Sequence, residues 1–72
     1  MDIRDIFAQN IRRVRRQRGV SQEELASLAN IDRTYVSALE RSVYSASLDV
    51  VASIAKALDV EPHELLLKSR RN

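Results

Sequence analysis

Residues 22–41 read QEELASLANIDRTYVSALER, and this stretch decides the fold. The four residues Ser21-Gln22-Glu23-Glu24 form an S-x-x-E pattern at its start. There a hydroxyl and a carboxylate satisfy each other's free backbone N–H groups and open a helix. Leu25, Leu28 and Ala29 supply the inner face of that short helix. Asn30 tolerates a positive φ, so the helix should stop there and turn sharply. Asp32 can cap the next helix, in which Val36, Leu39 and Glu40 share a face. A steep, close crossing of two helices needs a small residue at the contact, and Ala26 supplies one. The stretch therefore predicts two short helices joined by a tight turn.

Outward from this pair the spacing remains helical. Upstream, Ile3, Phe7, Ile11 and Val14 recur four, four and three apart, with Ile6 beside them. That is one apolar stripe on a helix of about 15 residues, closed by Gly19 as a left-handed cap. Downstream, Ser42–Ala46 reads as a loop. Ser47 then caps a fourth helix with the stripe Leu48, Val51, Ile54, Ala55 and Leu58. Pro62 after Glu61 suits the first turn of a fifth helix carrying Leu65 and Leu66. Residues 69–72 read as a short basic tail. No period-two run suggests a strand. The expectation is an all-α, compact five-helix fold, one domain over residues 1–72.

Composition narrows the chemistry. The 72 residues hold no Cys, no Trp, one Gly, one Pro and one His. A disulfide framework, thiolate zinc ligands and a cysteine nucleophile are excluded together. A phosphate-cradling glycine loop lacks its second glycine. Apolar runs reach only three residues, too short to span a membrane, and the N-terminus has no signal-peptide pattern. A cytoplasmic protein is expected. The net charge is only +2, but residues 1–20 carry six Arg against two Asp, whereas residues 21–45 are net acidic. Clustered Arg favours an anionic partner, of which nucleic acid is the commonest, although basic solvated helices also occur without one.

The whole pattern resembles the helix-turn-helix of the Cro and phage-repressor family, the XRE family. IRRVRRQRGVSQEELA is similar to that family's first two helices, IDRTYVSALER to its recognition helix, and SLDVVASIAKALDVEPHELL to its last two. The resemblance covers roughly residues 5–67 and implies a lambda-repressor-like DNA-binding domain, with the helix-turn-helix at about 22–41 and the recognition helix at about 33–40. Within the family, the IDRTYVS stretch is similar to the small controller proteins of restriction–modification systems. Two positions depart from the usual pattern. Ser42 stands where Gly is common, and Ala46 stands where Pro is common, so the path of residues 42–46 is left to the tertiary structure.

With Val36 and Leu39 inward, the opposite face of the third helix carries Thr34, Ser37, Ala38 and Arg41, with Arg33 and Tyr35 on its flanks. A recognition helix enters the major groove N-terminus first, which makes Arg33, Thr34, Ser37 and Ala38 the expected base contacts. Arg33 can fork to O6 and N7 of a guanine. A face of Thr, Ser and Ala fits a groove better than it serves as a solvated surface, where Lys and Glu would be expected. By the resemblance, Gln22, Tyr35 and Arg41 are phosphate contacts, and Arg15 and Glu40 form an ion pair between helices. Arg12, Arg13 and Arg16 read as the solvated face of helix one.

His63 is alone, so no metal site is expected. No base–nucleophile set is present either, so the chain is read as not an enzyme, with no cofactor and no small-molecule ligand. One motif reads only a few base pairs, so a homodimer on double-stranded DNA with a pseudo-palindromic operator is expected. Tyr44, Val60, Pro62, His63 and Leu67 are the candidate dimer interface. The alternative is a protein-interaction module of the same fold, such as an antitoxin that binds a toxin and represses its own operon.

Overall fold

Each α-helix starts on a capping side chain and is closed by a left-handed residue. In the computed structural model, which describes residues 2–68, these helices are α1 (Ile3–Gln17), α2 (Gln22–Ala29), α3 (Arg33–Glu40) and α4 (Leu48–Leu58). Asp2, Ser21, Asp32 and Ser47 accept from backbone N–H groups of the first turns at 2.8, 3.0, 3.3 and 3.1 Å. Each cap satisfies a donor that a helix start leaves orphaned. Asp2 also accepts from the Arg4 side chain, and that bond holds its carboxyl below the usual carboxylate range. The basic tail expected at 69–72 lies outside the described residues.

The helix ends are equally local. Gly19, Asn30, Ser42 and Asp59 take φ of 69°, 58°, 60° and 60°. In each case the next N–H returns to a carbonyl five residues back: Val20 to Arg15, Ile31 to Ala26, Val43 to Ala38, and Val60 to Ala55. This is the Schellman closure, which satisfies carbonyls that a helix end leaves free. Ser42 adopts it despite its Cβ, which crowds the following carbonyl in the left-handed region. Ser42→Gly is therefore expected to stabilise the domain by about 0.5–1 kcal/mol. A urea melt checks this, and a loss of stability would show that the serine side chain contributes more than its backbone strain removes.

The helices pack α2 against both α3 and α4, and α1 against α3. Phe7, Ile11, Val14, Leu25, Val36, Leu39, Val51, Ile54 and Leu58 form the centre, with Ala26 and Ala29 at the helix crossings. Three apolar residues read as inward are not. Leu28 is 63% exposed because it lies about 100° around α2 from the centre of the Leu25–Ala26–Ala29 face. Ile3 and Leu48, 55% and 83% exposed, are the first residues of α1 and α4. Side chains lean toward a helix N-terminus, so a first-position residue projects past the packed stretch.

The expected fifth α-helix is instead one 3₁₀ turn, Pro62–Leu65. Asn10 holds the end of this turn and the chain just after it: its Nδ2 donates to the carbonyls of Leu65 and Leu67 at 2.8 and 2.9 Å. Asn10 is 2% exposed, and its Oδ1 accepts from Arg13. The turn thus docks on α1 and α4, with Leu65 fully buried.

Candidate nucleic-acid interface

The α2–turn–α3 unit is closed by three small features: Ala26 at the crossing, Asn30 in the left-handed region, and Asp32 as the cap that starts α3. With eight residues, α3 is roughly 12 Å long, matching the width of a DNA major groove. Val36, Leu39 and Glu40 face inward. Arg33, Thr34 and Arg41 are exposed and Ser37 is half-buried, so one outward stripe of hydroxyls ends in a cation at either end. The Arg41 Nε donates to the Ser37 carbonyl at 3.4 Å, which lays its stem along the helix.

Ala38 does not belong to that stripe. It is 4% exposed, because the Schellman closure brings Val43 and the loop after α3 back beside it. A base contact through Ala38 would need the loop to move. Periodicity could not show this, since the covering residues lie outside the helix. Tyr35 is half-buried, and its ring centroid lies 6.5 Å from that of Tyr44.

The orientation of α3 is held from behind by Glu40. Its carboxylate accepts from Arg15 Nε at 2.7 Å, from Arg15 Nη2 at 3.2 Å and from Gln22 Nε2 at 3.1 Å. The side chains of Arg15 and Glu40 are 13% and 4% exposed. Arg15 Nη1 also donates to the Val20 carbonyl at 3.0 Å. One carboxylate therefore ties together α1, the start of α2 and the end of α3. Gln22, read as a phosphate contact, has one amide hydrogen committed to this network. Its second amide hydrogen and the free N–H groups of the first turn of α2 remain as donors.

Two residues escaped the sequence reading. Arg12, taken as solvated, is half-buried, and its Nη1 donates to the Glu40 carbonyl at the negative end of α3. Its signal was its place four residues after Ala8, which is 1% exposed. Asn10, a polar residue three positions after Phe7 within the apolar stripe, carried an equally visible signal.

Of the residues proposed for a dimer contact, Pro62 and His63 are exposed, Leu67 is 57% exposed, and Val60 is half-buried, all at the 3₁₀-turn end of the molecule. Tyr44 is 59% exposed but lies beside α3. The next residue, Ser45, borders a cleft with Leu66, so this loop and the chain just after the 3₁₀ turn adjoin there. Among the described residues, no cluster of His, Cys, Asp and Glu could hold a metal ion, and no helix is long and apolar enough to cross a membrane.

This fold, with a capped short helix presented by a buried ion pair, defines a helix-turn-helix DNA-binding domain. The family model described as helix-turn-helix matches residues 11–65, and the chain belongs to this XRE-type family of DNA-binding transcription regulators. It is 46% identical over 66 residues to a hypothetical transcription factor of Neisseria meningitidis, covering 92% of this chain and 62% of that protein. It is 42% identical over 66 residues to control protein C.BamHI of Bacillus amyloliquefaciens, covering 90% and 82%. Among solved structures, the Neisseria factor NHTF superposes with a TM-score of 0.93 at 43% identity, covering 96% of this chain and 79% of that one. The restriction–modification controller C.AhdI of Aeromonas hydrophila gives 0.84 at 44% identity, covering 86% and 94%.

Proposed function

We propose that the chain is a sequence-specific transcriptional regulator of the restriction–modification controller kind. It acts in the cytoplasm as a homodimer on a pseudo-palindromic operator, with α3 in the major groove. The observation that carries this reading is the α3 face itself: exposed Arg33, Thr34 and Arg41 with Ser37 between, held by a buried three-way contact at Glu40. The identity to C.BamHI and C.AhdI supports the controller assignment. The toxin-binding alternative gains no support from these relatives.

Arg33, Thr34 and Ser37 read base edges, whereas Gln22, Tyr35 and Arg41 hold the phosphates on either side. A single eight-residue helix reads few base pairs, so two copies are needed, one for each half-site about 10 base pairs apart. Val60, Pro62, His63 and Leu67 are the proposed contact between copies.

The test is binding to an operator selected from random duplexes, titrated at two or more salt concentrations. Arg41→Ala is expected to make the dependence of log K on log salt shallower by roughly 0.9 for each lost phosphate contact. Gln22→Ala removes no charge and should leave the slope nearly unchanged while weakening all sequences alike. A wild type with no preference beyond a salt-sensitive background would overturn the regulator reading.

A further inference from the structure

Resting on the placement of α3 in the major groove, we propose that Tyr44, on the loop after α3, reads a thymine through its 5-methyl group. Tyr44 and Val43 expose 59% and 48% of their surface, two large apolar side chains in succession beside a polar, base-facing helix. The loop that carries them is anchored. The Val43 N–H is bonded to the Ala38 carbonyl at 3.0 Å, and the Tyr44 ring rests against Tyr35 at 6.5 Å and 47°. Between loop and helix lies an open cleft lined by Thr34, Tyr35, Ala38, Arg41, Val43 and Tyr44.

The cleft is continuous with the reading face, because Thr34 belongs to both. Its charges select the occupant. Arg41, at the C-terminal end of α3, is left to the phosphate backbone, whereas Asp32, which borders the cleft from the N-terminal end of α3, disfavours a second anion inside it. Its remaining lining is apolar or hydroxylic. A small neutral apolar group fits such a place, and the thymine methyl is the apolar feature that the major groove presents. Tyr44 is thus a specificity residue outside the recognition helix, and the buried Ala38 methyl contributes to the cleft wall without touching a base.

The experiment starts from the operator selected by the wild type and replaces each thymine in turn with deoxyuridine, which removes only the methyl. At one thymine per half-site the wild type is expected to lose about fourfold in affinity per half-site, the effect of one buried methyl. Tyr44→Ala should bind the unmodified operator correspondingly less well and be indifferent to deoxyuridine at that thymine. Tyr44→Phe should behave as wild type, since the contact does not use the hydroxyl. Sedimentation equilibrium of the three proteins reads the oligomeric state alongside.

Three results overturn the proposal while leaving the regulator reading intact. The first is deoxyuridine sensitivity that persists unchanged in Tyr44→Ala. The second is a loss in Tyr44→Phe equal to that in Tyr44→Ala, which marks a hydroxyl–phosphate contact. The third is a Tyr44→Ala protein that binds weakly because it no longer associates. Selection that yields no preferred operator overturns both.

Discussion

Glu40→Ala is expected to bring the domain to the edge of unfolding at 25 °C, with a large unfolded fraction. Breaking a buried ion pair by removing one partner costs roughly 3–5 kcal/mol, because the other charge stays buried without compensation. Here the stranded group is Arg15, 13% exposed, whose Nε and Nη2 both lose their acceptor, and Gln22 loses its acceptor as well. A core from 72 residues supplies only about 3–5 kcal/mol in total, so the loss is comparable to the whole. Circular dichroism during a urea titration reads the outcome. The paired replacement Arg15→Met with Glu40→Leu removes both charges and should recover most of the lost stability. A drop below about 1 kcal/mol for Glu40→Ala would place the pair with dispensable surface contacts.

Arg33→Ala is expected to weaken operator binding by about 1–3 kcal/mol in each half-site, twice that in a dimer, and to relax discrimination mainly at one base pair. Arg33 is exposed in the first turn of α3 and takes no part in either of the two ion pairs among the described residues. Its fork of donors is therefore free for the O6 and N7 acceptors of a guanine. Arg33→Lys keeps the charge but loses the planar fork, so it should recover part of the affinity without restoring the base preference. Titration against a library of half-site substitutions separates the two effects. A uniform loss across the library, with the preference unchanged, would move Arg33 from reading to positioning.

Helix existence was legible because its causes are local. Ser21, Asp32 and Ser47 sit where a helix start needs an acceptor, and Gly19 and Asn30 sit where an end needs a positive φ. The left-handed turns at Ser42 and Asp59 were harder to read, since neither residue type demands that conformation. The candidate site was legible to the same depth. Thr34, Ser37 and Arg41 follow from 100° steps around a helix whose inner face is marked by Val36 and Leu39. Ala38 obeys the same arithmetic and is nevertheless buried.

The sequence by itself determined the four α-helices, the all-helical class, the tight turn between α2 and α3, and the polarity of the α3 face. Caps, periodicity and turn residues act within a few positions along the chain, and their physics is complete there. Only the tertiary structure decided that Asn10 holds the carbonyls of Leu65 and Leu67, that Arg12 closes the C-terminal end of α3, and that the loop folds back over Ala38 to set Tyr44 beside Tyr35. Each of these joins groups far apart in the chain, or covers one edge of a helix with residues from outside it. Whether a residue at such an edge is buried depends on the neighbour that packs against it, and helical spacing carries no record of that neighbour.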